Sequence, residues 1–305
     1  MSQQGFSQIN IISDIGGSAL KTDLDATNPW GIVASNNKFW VNLNGSSLLK
    51  LYNNQGKILE SFPTSDGPSG LVKVVKQTKG GPELILVTEG GIIAAYIPSI
   101  SPNPIVTKFT DTASVYKGVA ILGNYLYVAS FNNLRVDVFD VTQFKFIKSI
   151  TDADLSNAGY GPFNVYADGN SLYISYALLE TTEKKDDVKG LGNGYINVYD
   201  PKKNVLRRIA NRGPLNSPWA MVKLDDKLYV GNFGDGIINI YDIQHDCKHK
   251  NAKNTQITYC NSLSNLCNTP IQIDGLWGLA LTNSNDLLFA AGSQNEDHGL
   301  IGKLI

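Results

Sequence analysis

The sequence is poor in what most nucleic-acid, membrane and catalytic proteins need. Charged residues make up only 17% of its 305 positions, and 26 lysines and arginines nearly balance 27 aspartates and glutamates, for a net charge of -1. That leaves no basic face for nucleic acid and no pull toward an anionic membrane, so neither partner is expected. No run approaches the about 18 consecutive apolar residues that suggest a membrane span. The opening MSQQGFSQ has neither a basic start nor an apolar core, so no signal peptide is visible and an intracellular location, or one inside a viral particle, is expected. There is no GxSxG elbow, no GxxxxGK[ST] phosphate loop, no HExxH and no EF-hand loop. Histidines number only three.

Cysteine is scarce and confined: Cys247, Cys260 and Cys267 share one segment with His245 and His249. The spacing lacks the CxxC pair that usually nucleates zinc sites. A bound metal, a disulfide between two of the three and free loop thiols are the readings, with free thiols expected.

What the chain does have is asparagine, tyrosine, glycine and a repeated phrase. Asparagine and lysine are favoured, the bias of AT-rich coding DNA such as some giant viruses and intracellular bacteria carry. The phrase is a turn, often ending in proline, then a bulky residue, a small one and an aliphatic one. Its copies are Pro29-Trp30-Gly31-Ile32, Pro68-Ser69-Gly70-Leu71, Tyr116-Lys117-Gly118-Val119, Pro162-Phe163-Asn164-Val165, Pro218-Trp219-Ala220-Met221 and Leu276-Trp277-Gly278-Leu279. They recur every 40 to 58 residues or so, with β-rich sequence between them, the mark of a β-propeller (repeats of about 40–50 residues). An apolar strand follows each copy, then a third strand ending in an aromatic residue, and in four copies a clear fourth strand. The predicted fold is all-β: one six-bladed propeller over residues 1–305, with four-stranded antiparallel blades and insertions at 178–191 and 243–271.

The last unit runs out of chain at Gly299 to Ile305, its third strand, whereas Phe6 to Ser13 alternates like a strand and precedes the first copy. The N-terminal strand is therefore expected to complete the last blade, closing the ring and covering two exposed strand edges. The small third position of the phrase fits inner strands that converge on one axis; Asn164 departs from it and is expected to present an amide to the channel.

In a propeller, the turns leading into the inner strands and the loops between second and third strands share one face. Candidate ligand-binding residues there are Asn28, Trp30, Glu89, Asn132, Asn164, Trp219, Asn232, Asp235, Trp277, Asp297 and His298, with Asn42, Asn44, Lys117, Asn133, Phe163, Asp274, Asn295 and Glu296 in the wider set. Amides and aromatics suit a polar neutral ligand such as a glycan, or a protein surface. The Trp residues have the alternative of packing between blades, and Asn and Asp are common turn formers. The insertion at 178–191, with its EKKDD run, extends over this face as a solvated loop, with a lid or a partner contact as the alternatives. Glu89, Asp235 and Asp297 come from different blades and are candidates to hold a divalent cation such as calcium in the central channel. No cofactor is otherwise expected, and a closed ring is expected to be a monomer.

The runs QINIISDIGGSALKTDLDATNPWGIV, LNSPWAMVKLDDKLYVGNFGDGIINIYD and IDGLWGLAL, with the ending LLFAAGSQNEDHGLIGKL, resemble a family of six-bladed propeller proteins without an assigned activity, found in many bacteria and sometimes exported. The phrases Asn28-Pro29-Trp30-Gly31 and Gly231-Asn232-Phe233-Gly234-Asp235-Gly236 carry the resemblance, with a more distant likeness to NHL and gluconolactonase-type propellers. It implies the propeller and no reaction. Two functions are compatible: a non-enzymatic binding or structural module, which is favoured, or a calcium-type hydrolase or lactonase. Gluconolactonase-like enzymes place a Glu at the start of the first inner strand, where this chain has Asn28.

Overall fold

The computed structural model describes residues 5–75, 79–243 and 257–305. It contains six antiparallel sheets, each running outward from an inner strand that carries one copy of the phrase. The third blade shows the pattern: Tyr116–Leu122 pairs with Tyr125–Ser130, that with Arg135–Asp140, and that with Phe146–Ile150. Burial fades along this order. The two middle strands are buried almost throughout, whereas Phe146–Ile150 is exposed at four of its five positions. Alternating aliphatic and aromatic residues fit a sheet covered on both faces by neighbouring blades, and only the outermost strand meets solvent.

The ring closes as expected. Gln8–Ser13 pairs antiparallel with Leu300–Leu304, and a two-residue strand, Lys21–Thr22, adds a fifth member outside it in parallel, an exception to the antiparallel pattern. Ser7 and Ile305 exchange backbone hydrogen bonds of 2.9 and 3.1 Å, and Ile11 and Ile12 are buried in the seam. Just past the strand, Asp14 accepts from the Gly299 amide at 2.8 Å and meets His298 Nδ1 at 2.7 Å.

One expected boundary shifts. The segment 243–271 is not all insertion, because Thr258–Ser262 forms the fourth strand of blade five against Ile238–Asp242. Cys260 lies on that strand and Cys267 beyond it, both exposed free thiols that do not pair with each other. His245, Cys247 and His249 lie outside the described residues.

The phrase has a structural meaning that spacing alone does not reveal. Pairing of every inner strand with its neighbour skips at the second phrase position, between Pro29 and Ile32, Pro68 and Leu71, Tyr116 and Gly118, Pro162 and Asn164, Pro218 and Ala220, and Leu276 and Gly278. A bulge kinks its strand and re-aims a side chain. Here it does so six times around one axis. The small third residue follows from the close approach this creates. A Cβ on Gly31 would stand 2.6 Å from the Ser69 carbonyl oxygen, and one on Gly70 would stand 2.8 Å from the Gly118 Cα, each in the next blade. Asn164 breaks the series by using its amide instead, donating to the Trp219 carbonyl of the next blade at 2.8 Å while accepting from the Val165 amide at 2.8 Å.

Candidate functional site: the sealed mouth of the channel

The six bulged positions hold Trp30, Ser69, Lys117, Phe163, Trp219 and Trp277, all buried. Trp30 and Trp277 stack with ring centroids 3.6 Å apart and planes 20° apart, and Phe233 stacks on Trp277 at 3.8 Å and 18°. Trp219 meets both indoles edge-on at 6.2 and 5.8 Å, and Phe163 lies 5.6 Å from Trp277. The two Trp219 contacts are the edge-to-face arrangement favoured by aromatic quadrupoles, whereas Trp30, Trp277 and Phe233 overlap nearly face to face. Together they form a plug across one end of the channel.

Lys117 stands where three other blades place tryptophan, and its ammonium group would be costly in such a site without partners. It pairs with Glu89 at 2.6 Å and lies 4.8 Å from the Trp30 ring centroid. Burial alone would lower the Lys117 pKa; Glu89, with Asp186 and Asp187 nearby, outweighs it and holds the ammonium above its ordinary range. Burial would likewise raise the Glu89 carboxyl, but the charge and hydrogen bond of Lys117 keep it below the usual carboxylate range. Glu89 also accepts from Asn44 at 3.1 Å.

Asn28 sits in the turn leading to Trp30 with a left-handed φ of 44°, a conformation asparagine tolerates better than most residues. Its Oδ1 accepts from the Trp30 indole at 2.9 Å and its Nδ2 donates to Glu296 at 2.8 Å. The loop at 178–191 lies over the plug. Asp186 reaches Lys117 at 3.6 Å, Lys185 reaches Glu89 at 3.7 Å, and the Gly190 amide donates to Asn216 at 2.7 Å. Lys189 of the same loop is 4.0 Å from the Phe233 ring centroid. Burial pushes the carboxyls of Asp187 and Glu296 above the usual range.

Below the plug the same six strands enclose a cavity of about 880 Å³, lined largely by aliphatic side chains such as Ile32, Leu71, Val119, Val165, Met221 and Leu279. The polar groups thus lie above the bulges and the apolar ones below.

Of the residues expected on this face, Asn28, Trp30, Glu89, Trp219 and Trp277 come together in the plug and its first polar contacts. Asn164 sits beneath, committed to the Trp219 carbonyl. Three others are used within their own blades: Asn132 accepts from the Val115 amide and donates to the Ala113 carbonyl in the turn before the inner strand, both at 2.8 Å, while Asn232 donates to Asp235 at 3.1 Å. His298 belongs to the ring closure, and Asp297 is exposed. Glu89, Asp235 and Asp297 do not form a ligand set; among the described residues no three His, Cys, Asp or Glu side chains are grouped as a metal site. Sequence reasoning passed over Phe131, whose ring lies 5.0 Å from Phe163, and Phe233, both of which follow second strands instead of standing in the phrase, and Lys189, which looks like any loop lysine.

The fold and mouth define a six-bladed β-propeller whose channel is sealed at one end by an aromatic plug. No family model matches the chain. Uncharacterized protein L690 of Acanthamoeba polyphaga mimivirus is 30% identical over 328 residues, covering 97% of this chain and 84% of that protein. Uncharacterized protein R648 of the same virus is 29% identical over 329 residues, covering 96% and 78%. The chain belongs to the family of L690. Among solved structures it is similar to a streptogramin B lyase (TM-score 0.61, 12% identity, covering 98% of this chain and 97% of that one). It is also similar to U3-55K (TM-score 0.55, 11% identity, covering 99% and 98%). Identities this low speak to the fold alone, and one fold carries unrelated functions. No helix among the described residues is long and apolar enough to cross a membrane.

Proposed function

We propose that this chain is a non-enzymatic binding module that acts as a monomer and presents its plugged mouth face to a protein or glycan partner. The observation that carries this reading is the loop at 178–191, laid across the plug and tied to blades two and three through Lys185–Glu89 and Asp186–Lys117. It turns the axial end into one surface of charged and amide groups over an aromatic base. Two of the three candidate carboxylates support the same reading, because Glu89 neutralises Lys117 and Asp235 orders its own turn, accepting from Asn216 at 3.1 Å and from the Ile237 amide at 3.1 Å.

The test is a glycan array and a host-lysate capture run in parallel on the wild type, on the mouth variant Lys185→Glu/Asp186→Lys, and on Lys73→Glu at the opposite end of the channel. Binding that disappears only in the mouth variant supports the reading. Binding lost only with Lys73→Glu, or unchanged in both, contradicts it.

A further inference from the structure

The plug contains a column of three rings with a cation at each end. Trp277 occupies one face of Trp30 and one face of Phe233, at 3.6 and 3.8 Å, so the two ammonium groups near those outer rings sit on the faces pointing away from it. Lys117 is 4.8 Å from the Trp30 centroid and Lys189 is 4.0 Å from the Phe233 centroid. The two ends are chemically unlike. Lys117 is 1% exposed and bound to Glu89, part of the scaffold. Lys189 is exposed, sits on the loop over the mouth, and among the described residues forms no ion pair, although Phe233 beneath it is only 3% exposed.

We infer that the outer face of Phe233 is a binding site for an organic ammonium group, such as a lysine side chain of a protein partner, and that Lys189 occupies it in the unbound chain. An aromatic face backed by two further stacked rings attracts a cation through its quadrupole, and organic ammonium groups are favoured over small hydrated ions because less water has to be stripped from them. Carboxyl groups lie close by: Asp187 and Glu296 both interact electrostatically with Lys189, although burial holds both above the usual carboxylate range. Two indole donors in the plug, Trp219 Nε1 and Trp277 Nε1, are buried without a hydrogen-bond partner among the described residues. The aromatic end of the site thus offers no acceptor of its own, and discrimination falls to the ring face and the carboxylates. Because Lys189 is tethered, it competes at high local concentration, so an external ammonium binds weakly until the loop residue is displaced. This inference rests on the mouth-face reading and specifies its partner as a lysine-bearing protein in preference to a glycan.

The experiment titrates tetramethylammonium chloride against the full-length wild type, Lys189→Ala and Lys189→Ala/Phe233→Leu, with sodium chloride at matched ionic strength as reference and tryptophan fluorescence as readout. Lys189→Ala is expected to bind about fivefold more tightly than the wild type, equivalent to about 1 kcal/mol for one exposed cation–π contact. The double variant is expected to lose saturable binding while keeping the melting temperature of Phe233→Leu alone. Equal affinity in the wild type and Lys189→Ala, no saturation in Lys189→Ala, or retention of binding in the double variant would each overturn the inference. Saturable binding that requires Phe233, alongside a capture experiment indifferent to the mouth variant, would leave the ammonium site standing and remove the partner reading.

Discussion

The two ends of the channel are built from the same six strands and have opposite chemistry. Above the bulges, side chains turn inward and stack into a plug, and the buried Lys117 there is neutralised by Glu89. Below them the strands run regularly past an aliphatic cavity of about 880 Å³. Loops add Phe233, Glu89 and Lys189 to the mouth, but the inward turn of the plug side chains comes from one extra residue per blade, inserted at the same point of each inner strand, which redirects the bulky side chain that follows the turn. A single local irregularity, repeated, converts a water-accessible tube into a vessel closed at one end.

Both ends depend on the ring being closed, so the largest effect is expected from removing the seam. Deleting residues 1–13 takes away the strand that pairs with Leu300–Leu304 and uncovers Leu288, Ala290 and Ile301, whose cluster contains Ile11 and Ile12. Loss of cooperative melting, with rapid proteolysis starting in blade six, is the expected outcome in calorimetry and limited digestion. An unchanged melting curve would show that the seam is an ordinary frayed terminus.

The comparison between ends is sharpened by cutting one side chain from each. Trp277→Ala removes the middle ring of the column and is expected to cost about 3–5 kcal/mol by denaturant unfolding. Leu281→Ala, on the half-buried part of the channel wall, is expected to cost about 1 kcal/mol, since its side chain gives up less burial. Similar costs would mean that the plug is no better packed than the cavity wall.

Much of this architecture was legible in sequence because its constraints are local. Gly31, Gly70, Gly118 and Gly278 mark the close approach of neighbouring inner strands, and FSQINIIS carries the alternation of the closing strand. The fourth strand of blade five was not visible: TYCNS has one aromatic and no β-branched aliphatic residue, and it lies beside a cysteine- and histidine-bearing stretch that reads as an insertion. At the mouth, the tryptophans and Asn28 could be placed on the right face, yet their mutual stacking could not, because a repeat reveals which positions are equivalent and not where a bulge aims them. Lys117 was the clearest hidden signal. A lysine at a position that is tryptophan in three copies requires a buried acid, and Glu89 supplies it from 28 residues away in sequence. The EKKDD run reads as a solvated loop because its partners, Lys117 and Glu89, come from other blades.

A smaller effect concerns acid groups at the polar end. Glu296 has a folded pKa raised mainly by burial from 4.5, so its contribution to stability is complete at pH values below 4.5 and is lost as the pH rises through the raised value. Glu296→Gln keeps an acceptor for Asn28 and removes that loss. Its melting temperature is expected to match the wild type in acid and to exceed it by about 1–2 °C near neutral pH. A variant that is less stable at neutral pH would place Glu296 among the groups that are stabilised by ionisation, as Glu89 is.

The measurement that bears most directly on a dry, sealed mouth is a double-mutant cycle on Lys117 and Glu89, followed by denaturant unfolding at neutral pH. Lys117→Met alone leaves a buried carboxylate without its nearest cation, with only the exposed Lys185 at 3.7 Å, and is expected to lose about 3–5 kcal/mol, whereas Lys117→Met/Glu89→Leu, an apolar pair inside an aromatic plug, is expected to recover most of that loss. If Lys117→Met costs less than about 1 kcal/mol, as for an exposed ion pair, the mouth is open to water and the plug does not seal it.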